Sequence, residues 1–337
     1  MAKNRYRVDN TFYISDLRLL VFVIGYARMG ESIVLLMMNK DKCYYSAVID
    51  SYQYRRERRG PFINKAVDIL EEYHVERIDL LCWTHPHDDH SKGITTVLKK
   101  YCDEETNVLY PMYMENNEAD IVKLKKVSRE AVHKVLADNR AGKYKANPIG
   151  VIEGHYNNVD EFEVVNPFDE DEVRKVNIDV TTPISNKLTS YVNEATCSDP
   201  NELSITLILD IDGYGFYFGG DTTNEHIEAS NKPRMSKCRF VKIPHHASKT
   251  ADRLLKYLPV DELDAVCTTV FKWGRSKLPD KEVVKAYQRY FPHVYTTNKE
   301  MRKSGYGIIE YDYDFSTGAP VCTVHKMGNV GRMEMML

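Results

Sequence analysis

What this sequence lacks narrows it before any motif is read. Its seven cysteines, at positions 43, 82, 102, 197, 238, 267 and 322, are odd in number and never form Cys-x-x-Cys. That excludes a disulfide framework and a cysteine-rich zinc knuckle, and it suits reduced thiols in a cytoplasmic protein. A basic excess is missing as well: 46 Lys and Arg stand against 49 Asp and Glu, a formal charge of -3. No overall field steers the chain toward nucleic acid, so any such role must come from a local patch. The opening residues, MAKNRYRVDNTFYISD, hold no apolar run, and no secretory leader is expected. Internal repeats, low-complexity linkers, a serine–histidine–aspartate spacing and a phosphate-binding glycine loop are not found either. What remains is an ordinary globular composition over 337 residues, 43% hydrophobic and 28% charged.

One stretch tests the case against a membrane. Residues 19–38, LLVFVIGYARMGESIVLLMM, are nearly long enough to span a bilayer. Arg28 and Glu31 lie at the centre, where a charge is costly in lipid, and Gly25 and Gly30 punctuate the run. Two buried strands around a turn fit better, and no membrane association is expected. Strands are predicted at 17–24, 32–38 and 43–49, followed by an arginine run (Arg55, Arg56, Arg58, Arg59) and a helix opened by Pro61 with apolar residues to Tyr73. A short apolar strand at 78–83 leads to a helix at 93–101. The region 101–171 is less regular and reads as an insertion, with one amphipathic helix carrying Ile121, Leu124, Val127, Val132, Val135 and Leu136. A hairpin at 203–209 and 214–218 turns at Asp212-Gly213. Further strands are predicted at 239–243, 265–270, 294–297 and 306–311, with a helix at 280–290.

The chemistry gathers in three short segments, each after an apolar strand. Thr84-His85-Pro86-His87-Asp88-Asp89-His90 is the densest. His85 and His87, two apart in an extended turn, point the same way and can grip one ion, while Asp89 and His90 turn toward a second position. Imidazole with carboxylate suits zinc, with manganese or iron as alternatives. The second segment is Phe218-Gly219-Gly220-Asp221, and the third is Ile243-Pro244-His245-His246-Ala247-Ser248-Lys249. Either alone reads as an ordinary turn. Together they form one pattern, because sites in layered α/β folds collect at strand ends.

In this order, His85-x-His87-x-Asp89-His90, Gly220-Asp221 and the double histidine resemble the metallo-β-lactamase-fold hydrolases. Within them the chain is most similar to the hydrolase domain of ComEC-type competence proteins. Gly30-Glu31-Ser32, Ile49-Asp50-Ser51, Asn201-Glu202-Leu203-Ser204 and His245-His246-Ala247-Ser248-Lys249 match that subfamily's elements. The resemblance implies an α/β fold, a four-layer αββα sandwich of two mixed β-sheets flanked by helices. It implies one domain over 1–337 with a partly helical insertion around 101–171. It also implies two divalent ions, zinc first and manganese second: His85 and His87 at site one, Asp89, His90 and His246 at site two, and Asp221 bridging. His245 becomes a hydrogen-bond donor to developing negative charge, with the reverse assignment of the two histidines left open. Asn201 stands where most of the superfamily has a third histidine, so site one is expected to be weak unless His155 fills in. Ala247 replaces a glycine, and Leu278-Pro279 replaces the usual histidine–proline pair.

The activity implied is hydrolysis by metal-bound hydroxide, oriented by Asp89, with His245 and Lys249 steadying an oxyanion. A phosphodiesterase or nuclease acting on nucleic acid or nucleotides is the first reading. The segment 123–145, with eight Lys/Arg against two acids, and the arginine run would supply a local basic surface, although such a helix face is usually just solvated. A lactonase, thioesterase or phosphocholine-esterase-type hydrolase is the second reading. A non-catalytic metal-binding module of a multi-protein system is the third, and partner proteins or a homo-oligomer remain open.

Overall fold

Continuous apolar runs become strands covered on both faces. The computed structural model describes residues 7–8, 11–13, 16–57, 59–115, 123–166, 169–187, 199–297, 305–316 and 320–333. In chain order the strands are β1 (Arg7–Val8), β2 (Thr11–Tyr13), β3 (Arg18–Tyr26), β4 (Glu31–Asn39), β5 (Lys42–Ile49), β6 (Leu80–Cys82), β7 (Asn107–Pro111) and β8 (Lys145–Ile149). They continue with β9 (Asn157–Asn166), β10 (Asp169–Thr182), β11 (Thr206–Ile211), β12 (Tyr214–Phe218), β13 (Cys238–Lys242) and β14 (Ala265–Thr268). The last are β15 (Phe271–Trp273), β16 (Ser276–Leu278), β17 (Tyr295–Thr297), β18 (Tyr306–Asp314), β19 (Val321–Gly328) and β20 (Val330–Arg332). Among the described residues they make two large mixed sheets and a separate β15–β16 hairpin. One sheet runs β19-β18-β3-β4-β5-β6-β7-β8, the other β1-β2-β9-β10-β11-β12-β13-β14-β17-β20.

Alternation along each strand builds the layers. Leu19, Val21 and Val23 of β3 and Ile33, Leu35 and Met37 of β4 face Leu207, Leu209, Phe216, Phe218 and Phe240 of the other sheet in one shared core. The intervening residues Leu20, Phe22, Ile24, Val34 and Leu36 face outward. Helices α1 (Lys65–Glu72), α3 (Ile94–Tyr101) and α4 (Lys126–Arg140) cover them through Leu70, Val97 and Val132, with the short α2 (Asp88–Ser91) between α1 and α3 in the chain. A third core joins Ile208, Tyr217 and Val241 to Ile227 of α5 (Asn224–Ala229), to Met235 of α6 (Lys232–Met235) and to Val283 and Tyr287 of α7 (Lys281–Gln288). The order helix, sheet, sheet, helix is the αββα arrangement. It explains the apolar run at 19–38: both faces of β3 and β4 are covered, so neither needs polar residues. No described helix is long and apolar enough to cross a membrane.

Local chemistry sets the boundaries. Helix α1 starts later than Pro61 suggests, because the Asn64 side chain accepts from the N–H groups of Ala66 and Val67 and fixes the cap there. Asp280 caps α7 in the same way. The Asp212-Gly213 hairpin forms as expected, with Ile211 opposite Tyr214 and both turn residues at positive φ (51° and 85°). The stretch read as an insertion at 101–171 carries its helix, α4, but also gives β7 and β8 to one sheet and β9 to the other. Ile121 of that predicted helix lies outside the described residues, as does Arg58 of the arginine run.

Phe240 ties the two sheets together. Its ring centroid lies 5.3 Å from Phe218 in its own sheet and 5.1 Å from Tyr311 of β18 in the other. Truncation to alanine leaves a void that close-packed sheets cannot fill. Phe240→Ala is expected to lower unfolding free energy by about 3–5 kcal/mol, read from urea denaturation. A loss below about 1 kcal/mol would mean that the sheets do not depend on this contact.

Candidate metal centre

Both sheets run parallel where the chemistry lies. The pairs β5–β6–β7 in one and β12–β13–β14 in the other are parallel, so their C-terminal ends reach one edge of the molecule. Asp50 follows β5, Thr84 to His90 follow β6, Gly220 and Asp221 follow β12, and His245 and His246 follow β13. The Ile205 N–H donates to the Thr84 carbonyl at 3.0 Å and locks the two edges together.

The backbone there is forced. Gly220 has φ 51°, and a Cβ on it would lie 2.5 Å from Ser204 Oγ and 2.9 Å from Thr84 Cβ. Ser204 Oγ in turn accepts from the Asp221 N–H at 2.8 Å, fixing the aspartate at the sheet edge. His245, His246 and Ala247 are three successive residues at positive φ, 49°, 50° and 59°. Each such non-glycine residue costs about 1–2 kcal/mol, which the surrounding fold must supply.

Hydrogen bonds assign the imidazole tautomers. The Thr84 hydroxyl donates to Asp50 Oδ2 at 2.6 Å, so at 3.0 Å it accepts from His85 Nδ1–H. His90 Nδ1 lies 2.6 Å from the same Asp50 oxygen and donates to it. The Thr269 hydroxyl donates to Glu31 Oε2 at 2.5 Å and so accepts from His246 Nδ1–H at 2.8 Å. The three Nε2 atoms are thereby left facing the Asp221 carboxylate. His85 Nε2 is 3.9 Å from Asp221 Oδ2, His246 Nε2 is 3.6 Å from the same oxygen, and His90 Nε2 is 3.4 Å from Oδ1. An imidazole oriented by a polar partner on its far nitrogen is the usual state of a metal ligand.

Two donor sets result. Asp89, His90, Asp221 and His246 form one, and His85, His87 and Asp221 the other, each with its ligand atoms within 4.8 Å of one another. Asp221 belongs to both. His90 Nε2 and Asp221 Oδ1 are buried without a hydrogen bond among the described residues. Such orphaned atoms are costly unless something else satisfies them, and a divalent cation fits nitrogen and oxygen donors of this kind. The electrostatics agree. Burial alone would lower the His90 pKa, but Asp221, Asp50 and Asp89 together raise it well above the usual imidazole range. Burial works against the Asp221 anion, yet His246, His90 and His245 hold its pKa well below the ordinary carboxylate value. The pocket asks for positive charge.

A buried ion pair supports this from beneath. Lys242 Nζ lies 2.7 Å from Glu31 Oε1, both side chains inaccessible to solvent. Burial opposes both charges, and each outweighs that penalty mainly through the other. Glu31 thus stays anionic to hold Thr269, and Thr269 holds His246. Sequence reasoning matched Glu31 to a subfamily element without giving it this task, and it gave Lys242 and Thr269 none.

Other expectations fall differently. His245 lies at the mouth, with Nε2 4.0 Å from Asp221 Oδ2 and 3.4 Å from Asn201 Nδ2. Asn201 is buried beside it, and its Oδ1 has no hydrogen bond among the described residues. His155 is exposed, with its Nδ1 2.9 Å from the Glu153 carbonyl, and takes no part. Lys249 is not brought to the cluster: its side chain is 66% exposed and pairs with Asp280 at 3.8 Å. Of the basic segment 123–145, Lys134 and Lys143 pair with Asp138, and Lys125, itself 3.9 Å from Asp88, lines the cavity. That cavity, about 190 Å³, opens onto Asp221, His87, His245 and His246 and is walled by Phe271, Ser276 and Leu278 of the β15–β16 hairpin.

No protein-family model matches the chain, and no curated protein matches it. Among solved structures it is similar to one described as a new diphosphatase from the PhnP family, over 82% of this chain and 85% of that one, at 8% identity and a TM-score of 0.36. The likeness is remote, and the ligand chemistry rests on this chain's own side chains.

Metal titration follows directly from the tautomer network. Thr269→Val removes the acceptor for His246 Nδ1–H, and loss of such an orienting partner typically weakens binding about 10–100-fold. Competition with a chromophoric chelator should show zinc or manganese affinity falling by that order. Asp221→Ala, which deletes the donor common to both sets, should abolish stoichiometric binding. Unchanged binding in Asp221→Ala would show that the cluster is not a metal centre.

Proposed function

We propose that this chain is a metal-dependent hydrolase that cleaves phosphodiesters. It would hold one divalent ion with His85, His87 and Asp221 and a second with Asp89, His90, His246 and Asp221. The observation that carries this reading is the convergence of three Nε2 atoms on one shared buried carboxylate beside an open cavity. A divalent ion bound there supplies Lewis acidity and lowers the pKa of water from about 16 to about 7.

The chain's own groups do the rest. Asp89 Oδ2, 3.2 Å from His246 Nε2 and 3.5 Å from His90 Nε2, belongs to the second donor set, and its carboxylate, held anionic by those two histidines against the penalty of burial, can orient an attacking water. Burial lowers the His245 pKa, partly offset by Asp221, so its imidazole is neutral near pH 7. The Thr250 hydroxyl, 2.8 Å from His245 Nδ1, can give or take the proton there and so set which tautomer faces the mouth. With the proton on Nε2, His245 donates to a phosphoryl oxygen as negative charge grows. Lys125 lines the same cavity and offsets the charge of a phosphate entering it. The motif resemblance to competence-protein hydrolase domains supports the same class of substrate. With Lys249 turned away to Asp280, His245 and Lys125 take the role of steadying the anion.

The test is hydrolysis of bis(p-nitrophenyl) phosphate with zinc or manganese present. Turnover is expected, is lost with chelator, and does not extend to nitrocefin or lactones. His245→Ala should keep its metal and lose about 100-fold in kcat. Metal loss in that variant would make His245 a ligand, and cleavage of lactones without phosphodiesters would contradict the substrate class.

A further inference from the structure

Beside the metal-centre cavity lies a second one, of about 320 Å³, lined by Tyr26, Tyr52, Tyr54, Arg28, Arg56 and Trp273, with Arg55 and Met29 at its edge. Its size is at the lower end of the roughly 300–1,000 Å³ usual for small-ligand sites. The two cavities share a wall. Met29 lines both, and the hairpin that sends Phe271, Ser276 and Leu278 to the metal centre sends Trp273 to this one. Lys125 of the first cavity lies 5.4 Å from the Trp273 ring centroid.

The lining is built rather than incidental. Tyr26 packs on Tyr52 at 5.1 Å and edge-on to Tyr54 at 5.7 Å, and its hydroxyl accepts from the Lys65 N–H at 3.0 Å. Backbone hydrogen bonds in both directions between Tyr54 and Ile63 pin that segment. Arg55 is held with its guanidinium 3.8 Å over the Phe62 ring. Against this fixed floor three features stand open to a ligand. Trp273 is 60% exposed, an unusual cost for an indole. The Tyr54 hydroxyl is buried and makes no hydrogen bond among the described residues. Arg28 and Arg56 are exposed, and neither has an ion-pair partner among the described residues. The cavity is lined by arginines and no carboxylate.

Aromatic faces, an unsatisfied hydroxyl and arginines around one space fit a ligand with a flat ring and a phosphate. We infer that this cavity is a nucleotide subsite: a base stacks on Trp273 and the tyrosines, Tyr54 hydrogen-bonds it, and Arg28 and Arg56 hold the phosphate next to the scissile one. The inference rests on the phosphodiesterase reading for the neighbouring site. Selectivity then comes from the nucleotide beside the cleaved bond. Arg56 of the arginine run acquires a local purpose in a chain of net charge -3.

Two measurements separate this inference from the reading beneath it. In the first, kcat/KM for the dinucleotide pTpT is divided by kcat/KM for bis(p-nitrophenyl) phosphate, which has neither base nor second phosphate. Trp273→Ala and Arg56→Ala should each lower that ratio about 10-fold or more, on the scale of one lost base stack. A ratio that does not move overturns the subsite and leaves the hydrolase standing. A ten-residue oligothymidylate run beside pTpT distinguishes a strand from a short nucleotide as the source of that chemistry. In the second, adenosine 5′-monophosphate is titrated into the metal-loaded protein and tryptophan fluorescence is read. Of the two tryptophans Trp83 is fully buried, so quenching reports on Trp273. Saturable quenching, weakened about 10-fold in Arg56→Ala and absent with inorganic phosphate, is expected. If no phosphodiester is cleaved at all, the hydrolase reading fails and this titration still decides the subsite. No quenching in the wild type overturns it.

Discussion

Buried lone pairs with nowhere else to point are what the rest of the molecule is arranged around. Asp50 takes hydrogen bonds from the Thr84 backbone and hydroxyl and from His90. Glu31, through Thr269, takes one from His246. These two carboxyl groups hold the Nδ1 sides of the rings, so the Nε2 sides face Asp221, and that of His246 also Asp89. Without a cation such an arrangement sets acceptors against acceptors, a costly state, and the carboxylates around His90 push its pKa well above the usual imidazole range instead. A divalent ion in each donor set resolves both the geometry and the charge.

The fold meets the cost of this arrangement elsewhere. Three consecutive left-handed residues, 245–247, a positive-φ Asp50 and a glycine at 220 that no side chain could replace all cluster at the same edge. Strain of this kind persists only where the surroundings over-determine it. Here they are two sheets sharing an apolar core, with a helical layer on each outer face. The Glu31–Lys242 pair belongs to the same economy. Buried ion pairs contribute little net stability, and this one is better understood as holding a carboxylate anionic where His246 needs it.

Much of this was legible in the chain, for physical reasons. Strands covered on both faces read as continuous apolar runs, so β3, β4, β5, β11 and β12 stand out in sequence. His85, His87, Asp89, His90, Asp221 and His246 announce themselves because ligand residues must follow strand ends closely, and all six meet in the structure. The long β9–β10 pair was not anticipated: its strands, residues 157–166 and 169–182, are rich in acids and asparagines, and their core residues alternate (Phe162, Val164; Val176, Ile178, Val180) instead of forming a continuous run. The second cavity was invisible too. Arg28, Tyr54 and Trp273 come from three separate segments, and no spacing rule connects them. Nor could pattern alone place Lys249, since whether a lysine after a histidine pair faces the site or Asp280 depends on the turn that follows.

The claim at the centre is that Asp221 is shared by two bound cations. Crystals grown with zinc, measured on both sides of the zinc absorption edge, test it without reference to any substrate. Two anomalous peaks are expected, one beside His85 and His87, the other beside Asp89, His90 and His246, with the Asp221 carboxylate contacting both. Peaks confined to surface histidines such as His155, or no ordered peak at Asp221, would contradict the account.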